Sequence, residues 1–194
     1  MCIRDSGSSD PRVYDILESY KDSRLRVIHQ QNMGFTHALR RAIEESDGEF
    51  IAIQGAGDIS FPGRLERQVQ VLQENKDIVG VAVTALNAFD DEDSCLDEVF
   101  DGGFSDLRTT EFLAAHRFTH GTIMFRRNVY ESVGGYRTVF TLSQDTDLFL
   151  RLSLFGCIRV LSDTLYLRRI FSRDGVTSDI LKVLQQSHYA EFAR

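Results

Sequence analysis

Apolar residues fall into short stripes along this chain, and each stripe closes on a turn residue. Val13, Ile16, Leu17 and Tyr20 recur at helical spacing behind Asp10-Pro11, an N-cap followed by proline at the first helical position. That pattern predicts a surface helix packed on one face. Leu25, Val27 and His29 alternate with Arg24, Arg26 and Ile28 in a short strand that Asn32-Met33-Gly34 closes as a turn. Ala38, Leu39, Ala42 and Ile43 then share one helical stripe, with Gly48 where a residue just past the helix end is expected. Residues 50–53 form a nearly continuous apolar run of the kind found in strands covered on both faces, ending at Gly55-Ala56-Gly57-Asp58.

Pro62 opens a further helix carrying Leu65, Val69 and Leu72, and the valine-rich residues 78–85 read as another buried strand. This βαβαβ-like order predicts a mostly parallel, mixed central sheet with helices on both sides and a ligand site at the carboxyl ends of the strands. Residues 90–101 are acidic and read as a solvated loop. A short helix over 110–116, a strand over 122–125 and a turn at Gly134-Gly135 follow. Residues 144–155 are expected to be helical with Leu148, Leu152 and Phe155 inward, before a strand pair at 158–161 and 165–169. Beyond Thr177 the pattern is that of a terminal helix, so residues 1–175 are read as one domain and 176–194 as a C-terminal helical segment.

Composition narrows the function classes. With 194 residues and 42% hydrophobic content the chain can bury one continuous core. A formal net charge of -7 and a pI near 5.2 argue against nucleic acid as the main partner, since its backbone demands clustered Lys and Arg. Cys2, Cys95 and Cys157 are far apart and lack CxxC spacing, which suggests neither a disulfide framework nor a zinc site and fits a reducing cytoplasm. No apolar run of about 18 residues marks a membrane span, and no leader pattern follows Met1. Asp5-Ser6-Gly7-Ser8-Ser9-Asp10 reads as a loop leaving a strand, yet almost nothing precedes it, so a first strand and helix are expected to be missing upstream. The prefix Met1 to Ser6 also resembles translated adapter sequence.

Four ordered segments resemble the signature of the family 2 glycosyltransferases, which have the GT-A fold, a three-layer α/β/α Rossmann-like architecture. They are Asp5-Ser6-Gly7-Ser8-Ser9-Asp10; Asn32-Met33-Gly34 with the helix after it; Gly55-Ala56-Gly57-Asp58 running through Pro62 into Arg64-Leu65-Glu66-Arg67-Gln68; and His120-Gly121-Thr122 with Gly134-Gly135-Tyr136-Arg137 and Gln144-Asp145-Thr146-Asp147. Each alone is a weak signal, and their ordered combination is a strong one. The resemblance implies transfer of a sugar, with inversion, from a nucleotide-diphospho-sugar to an acceptor hydroxyl on a saccharide or lipid-linked saccharide. The setting it implies is cell-surface polysaccharide, lipopolysaccharide or glycoconjugate assembly, in the cytoplasm or peripherally at the inner face of the membrane.

Such a reaction needs a base for the acceptor proton and positive charge for the departing diphosphate. The resemblance puts Asp145 in the place of the base, its structural alternative being a helix cap. It puts Asp5, Asn32, Gly55, Gly57, Asp58 and Arg169 on the donor side, His120 and Gly121 on the acceptor side, and leaves Asp10 as an N-cap and Asp147 as a first-turn residue bonding a neighbour. Most relatives carry Asp-x-Asp where this chain has Gly55-Ala56-Gly57, a motif that binds Mg²⁺ or Mn²⁺ at the diphosphate. Two readings stay open. Either Asp58 holds the metal with the diphosphate and waters, or Gly55 and Gly57 admit the phosphates to backbone amides while Arg168, Arg169 or Arg173 supplies charge without a metal. A nucleotide-sugar binding module without turnover is the competing function, and a nucleotidyltransferase is disfavoured because no Gly-x-Gly-Thr-Arg type loop is present.

Overall fold

The computed structural model describes residues 1–89, 96–98, 105–108 and 118–170. The expected helices at 110–116 and after Thr177, the 176–194 segment, Cys95 and Arg173 lie outside the described residues. Nine strands are described: β1 (Cys2–Ser6), β2 (Arg26–Gln30), β3 (Phe50–Ala52), β4 (Ile59–Ser60), β5 (Ile78–Phe89), β6 (Leu96–Glu98), β7 (Ser105–Leu107), β8 (Ile123–Arg126) and β9 (Cys157–Ile170). The helices are α1 (Pro11–Ser19), α2 (Phe35–Glu44), α3 (Arg64–Glu74), α4 (Arg127–Ser132) and α5 (Gln144–Ser153), with a single 3-10 turn at His120–Thr122.

The strands form a two-stranded β1–β2 sheet and a seven-stranded sheet in the order β3-β8-β5-β9-β4, with β6 added to β5 and β7 to β9. The β1–β2 and β5–β9 ladders are parallel and the others antiparallel. Strands β3, β5 and β9 still point one way, because β8 runs antiparallel between β3 and β5. The expected mixed α/β layering is therefore present, with β8 in two of the five antiparallel ladders and β4, β6 and β7 each supplying one of the others.

Two apolar layers cover the sheet. Ile51, Ile53, Val79, Ala82, Ile123, Phe125 and Ile158 pack with Ile43 of α2, Tyr130 of α4 and Leu148, Phe149 and Leu152 of α5. Ile78, Val81, Val83, Ala85, Met124 and Leu161 pack with Val71 and Leu72 of α3. Along β5, Val79 and Val81 face opposite layers although they are two residues apart, and the register shift between Ile78 and Gly80 is the reason. Helix α5 is buried nearly all round, with only Asp145 and Arg151 partly exposed, as expected of a core helix.

Several expectations are corrected. Asp5 and Ser6 end a five-residue strand paired in parallel with β2, and the loop begins at Gly7 with φ 75. The expected pair at 158–161 and 165–169 is the single strand β9, because Ser162 and Asp163 bulge between Leu161 and Thr164 without ending the ladder to β5. Within the acidic stretch, Leu96–Glu98 pairs with β5 instead of forming a loop. Phe155 and Leu65 are exposed, and α1 has no buried residue, its Val13 and Leu17 being half-buried and its Ile16 exposed, as is Tyr20 just past its end. No helix among the described residues is long and apolar enough to cross a membrane.

Candidate functional site

The loop after β3 carries one carboxylate, Asp58, and it is fastened from β9. Asp58 Oδ2 accepts the Tyr166 hydroxyl at 2.7 Å and Oδ1 accepts the Arg169 backbone N–H at 2.9 Å. The Tyr166 oxygen in turn accepts the Gly55 N–H at 3.0 Å. Gly57 has φ 87, which glycine adopts without a steric cost. Arg169 thus meets Asp58 through its main chain, while the residue itself is exposed at the strand end.

Beneath this loop lies Arg64, 1% exposed. Its guanidinium donates to Gln68 Oε1, Gln54 Oε1, Ser60 Oγ and the carbonyls of Ile53 and Gly121, and sits 4.7 Å above the Tyr166 ring. All of these acceptors are neutral. Burial accordingly pulls its pKa down to about 10, with Tyr166 and Asp58 pushing the other way. A buried cation saturated by neutral oxygens is tolerable only because every donor is satisfied.

In the turn before β8, His120 Nε2 lies 2.6 Å from the Tyr136 hydroxyl, in the company of the Phe35 and Phe149 rings. Burial lowers the His120 pKa and raises that of Tyr136, so a neutral pair is favoured, and Asp145 lies within electrostatic reach of both. Asp145 sits between buried Gln144 and Thr146 in the first turn of α5, yet is itself only half-buried. One of its oxygens accepts the Thr146 N–H at 2.9 Å. The helix is entered through Ser143, the one described non-glycine residue at positive φ (57), a conformation that costs energy and redirects the chain just before Asp145.

Asp147 plays the structural part expected of it. At 3% side-chain exposure it pairs with Arg151 at 2.5 Å and Arg137 at 3.3 Å, tying α5 to the loop after Gly134-Gly135.

The dipeptide His120-Gly121 joins the two halves. His120 faces Tyr136 and Asp145, while a Cβ on Gly121 would fall 2.2 Å from the Tyr166 oxygen. Beside His120, Thr119 Oγ1 is buried with no hydrogen-bond partner among the described residues.

Asp5 and Asn32 belong to a third group at the ends of β1 and β2. Asp5 accepts the Ser8 N–H at 3.0 Å and hydroxyl at 2.6 Å and meets His29 Nδ1 at 2.9 Å. Hydrogen bonds from Ser8 and then His29 lower its pKa. Asn32 accepts the Gly34 N–H at 2.9 Å and abuts Gly7. Phe35, three residues after Asn32, is the contact from this group to His120, with ring centroids 6.0 Å apart. Asp10 caps α1 through the Arg12 N–H, as read from the sequence.

A cavity of about 300 Å³ lined by Glu49, Phe50, Arg126, Arg127, Asn128 and Glu131 lies at the other end of β3 and β8. Its two guanidiniums already serve main-chain carbonyls, Arg126 those of Ile78, Leu72 and Asn75 and Arg127 those of Gly48 and Ile43. From sequence, Arg64 and Tyr136 stand only as members of the motif segments, with no role of their own, and Tyr166 carries no signal: an arginine in the first turn of a helix and tyrosines near apolar runs point to no particular chemistry.

Comparison with known proteins supplies what geometry alone does not. The family model described as Glycosyl transferase family 2 matches residues 1–134. EpsE of Bacillus subtilis, which carries a provisional glycosyltransferase name, is 30% identical over 159 residues, covering 78% of this chain and 55% of its own. The uncharacterized glycosyltransferase MJ1057 of Methanocaldococcus jannaschii is 25% identical over 191 residues, covering 93% of this chain and 63% of its own. The structure of S. aureus TarS 1-349 in complex with UDP-GlcNAc superposes with a TM-score of 0.70 at 16% identity, covering 90% of this chain and 50% of that one. The chain thus spans between half and two thirds of the length of these relatives. The matched motifs, the GT-A layering and the family match over residues 1–134 agree: the chain belongs to glycosyl transferase family 2.

Proposed function

We propose that this chain carries the donor loop and the catalytic base of an inverting glycosyltransferase that moves a sugar from a nucleotide-diphospho-sugar to an acceptor hydroxyl. Its setting is cell-surface polysaccharide, lipopolysaccharide or glycoconjugate assembly. The observation that supports this best is the pairing of two groups across His120-Gly121. One is a half-buried carboxylate, Asp145, beside a neutral imidazole; the other is a fastened carboxylate, Asp58, in a glycine-bearing loop. Asp145 takes the acceptor proton as the hydroxyl attacks the anomeric carbon, while His120 and the Thr119 hydroxyl, which has no partner among the described residues, orient the acceptor. Gly55 and Gly57 leave room for the diphosphate to approach the loop, where Gly57 offers a main-chain amide while that of Gly55 is held by Tyr166, and Arg64 adds a fixed positive charge behind them. Asp5 and Asn32 contribute to the nucleotide side.

Asp58 has used one acceptor position on each oxygen and keeps another on each, so with donor phosphates and water it can help hold one Mg²⁺ or Mn²⁺ ion. When bound, that ion neutralises charge on the leaving diphosphate. The crystallised complex of TarS with UDP-GlcNAc makes UDP-sugars the first donors to try. A saccharide or lipid-linked acceptor presented at the inner face of the membrane goes with the same reading.

The test is a panel of UDP-, GDP- and dTDP-sugars, with and without Mn²⁺, on the parent chain and Asp145→Asn. The expected result is turnover with one donor class and a loss of roughly 10²–10⁴-fold in kcat for the variant, with donor binding kept. An Asn variant as active as the parent would falsify the assignment of the base. The glycines at 55 and 57 favour one second reading, a nucleotide-sugar binding module, for which calorimetry would find nucleotide binding without turnover under any metal.

A further inference from the structure

Gly134 and Gly135 both have positive φ, 79 and 68, so the chain turns sharply after α4 in a way that glycine takes without steric cost. A Cβ at Gly135 would also lie 2.7 Å from the Tyr130 hydroxyl. The turn drives Tyr136 into the core, where it is fully buried. Its N–H donates to the Tyr130 hydroxyl at 3.3 Å and its carbonyl accepts from Arg40 at 3.3 Å, which fixes the main chain on both sides of the ring. The Tyr136 hydroxyl is left with one hydrogen-bond partner among the described residues, His120 Nε2 at 2.6 Å. A buried O–H has to spend its proton on an acceptor, and Nε2 is the acceptor within reach. A neutral imidazole that accepts at Nε2 carries its own proton at Nδ1. Burial, which disfavours the charged ring, keeps His120 neutral against the opposing pull of Asp145. Nδ1 has no partner among the described residues, and His120 is only half-buried.

We propose that Tyr136 is a positioning residue that locks His120 as the Nδ1–H tautomer, so that the ring offers one fixed hydrogen-bond donor to the acceptor beside Asp145. Placing the acceptor there rests on the function proposed above. A substrate that gives its proton to Asp145 still needs a donor for its oxygen lone pairs, and Nδ1–H supplies one. The opposite tautomer would turn a lone pair to the same place and compete with Asp145 for the proton. The plane of the imidazole is held from three directions, by Phe35 and Phe149 with ring centroids 6.0 Å away and by Tyr136 itself at 5.8 Å. The tyrosine therefore acts through the histidine and touches no substrate.

The lock is read by nitrogen NMR of the parent with isotope-labelled histidines, at about pH 8, where an ordinary imidazole is neutral. Among the five histidines, His120 is identified by the signals that vanish in His120→Asn. The expected result is a bare Nε2 and a protonated Nδ1 in the parent. In Tyr136→Phe, which keeps the ring and loses only the hydroxyl, the two nitrogens are expected to move towards a common shift as both tautomers become populated. Activity is then measured with the donor that the sugar-nucleotide panel selects, using methyl hexopyranosides and water as acceptor probes. Tyr136→Phe is expected to lower kcat roughly 2–10-fold, the scale of one neutral hydrogen bond, with donor KM unchanged. Asparagine puts an N–H where Nδ1 stands and glutamine puts one near Nε2, so His120→Asn should stay more active than His120→Gln by at least roughly twofold. A proton on Nε2 in the parent, or an unchanged spectrum in Tyr136→Phe, overturns the lock. An unchanged kcat or a risen donor KM in Tyr136→Phe, or equal activity of the two His120 variants, overturns the positioning role. Should Tyr136→Phe not fold, the parent spectrum and the pair of His120 variants decide. If the lock is seen but the parent turns over no donor of the panel, the role at the acceptor falls with the proposed function, while the tautomer assignment stands.

Discussion

Replacing Gly121 with alanine puts one methyl carbon 2.2 Å from the Tyr166 oxygen, 2.8 Å from Cζ and 3.2 Å from Cε1. The obstacle is a buried ring, not the far end of a flexible chain, so the phenol has to tilt. Tilting breaks its hydrogen bond to Asp58 at 2.7 Å and the one it accepts from Gly55 at 3.0 Å. A bond to a charged group contributes about 1.5–3 kcal/mol and a neutral one about 0.5–1.5 kcal/mol, so the loss comes to roughly 2–4.5 kcal/mol. For a chain of this size each kcal/mol moves Tm by roughly 2–4 °C, which predicts a fall of roughly 4–18 °C. Calorimetric unfolding of the parent, Gly121→Ala, Tyr166→Phe and the double variant measures it. In the Tyr166→Phe background both hydrogen bonds are already gone, and the alanine should then cost less by at least about 1 kcal/mol. An equal cost in both backgrounds would show that the hydroxyl network carries none of the effect and would refute the reasoning.

Two further outcomes are expected. Asp147→Asn strips the partner from Arg151 at a site with 3% side-chain exposure and should destabilise by about 3–5 kcal/mol, read as a Tm loss far larger than that of a surface carboxylate variant such as Asp15→Asn. His120 has a folded pKa depressed chiefly by burial, so the folded state resists the proton that the unfolded chain takes up near pH 6.5. Its share of stability is complete above that pH and is lost as pH falls through the depressed value. Unfolding of His120→Gln followed from pH 8 to pH 5 should therefore decline less steeply than the parent, and parallel curves would contradict the assignment.

The parts of the fold that were legible in the sequence are those where one physical signal dominates. Alternating valines announce β5, and the apolar period of 144–153 announces α5. Strand β1 escaped because Arg4 and Asp5 interrupt its short run, and its support comes from pairing with β2. The unity of β9 escaped because Ser162 and Asp163 look like a turn and behave as a bulge. Asp58 and Asp145 could be picked out because their motifs resemble those of a known family. Their partners could not, since Tyr166 lies 108 residues from Asp58 and reads as an ordinary core aromatic. The roles of Arg64 and Gly121 likewise exist only once α3, β9 and the turn before β8 are brought together.

That distance along the chain has a consequence for biogenesis. Asp58 and Arg169 are separated by 111 residues, and at a synthesis rate of about 5–20 residues per second the strand that completes the loop emerges on the order of ten seconds after the loop itself. Until then a nascent chain can hold the glycines and the acid without holding their geometry, so the fastened form of this loop is among the last features the domain acquires on leaving the ribosome.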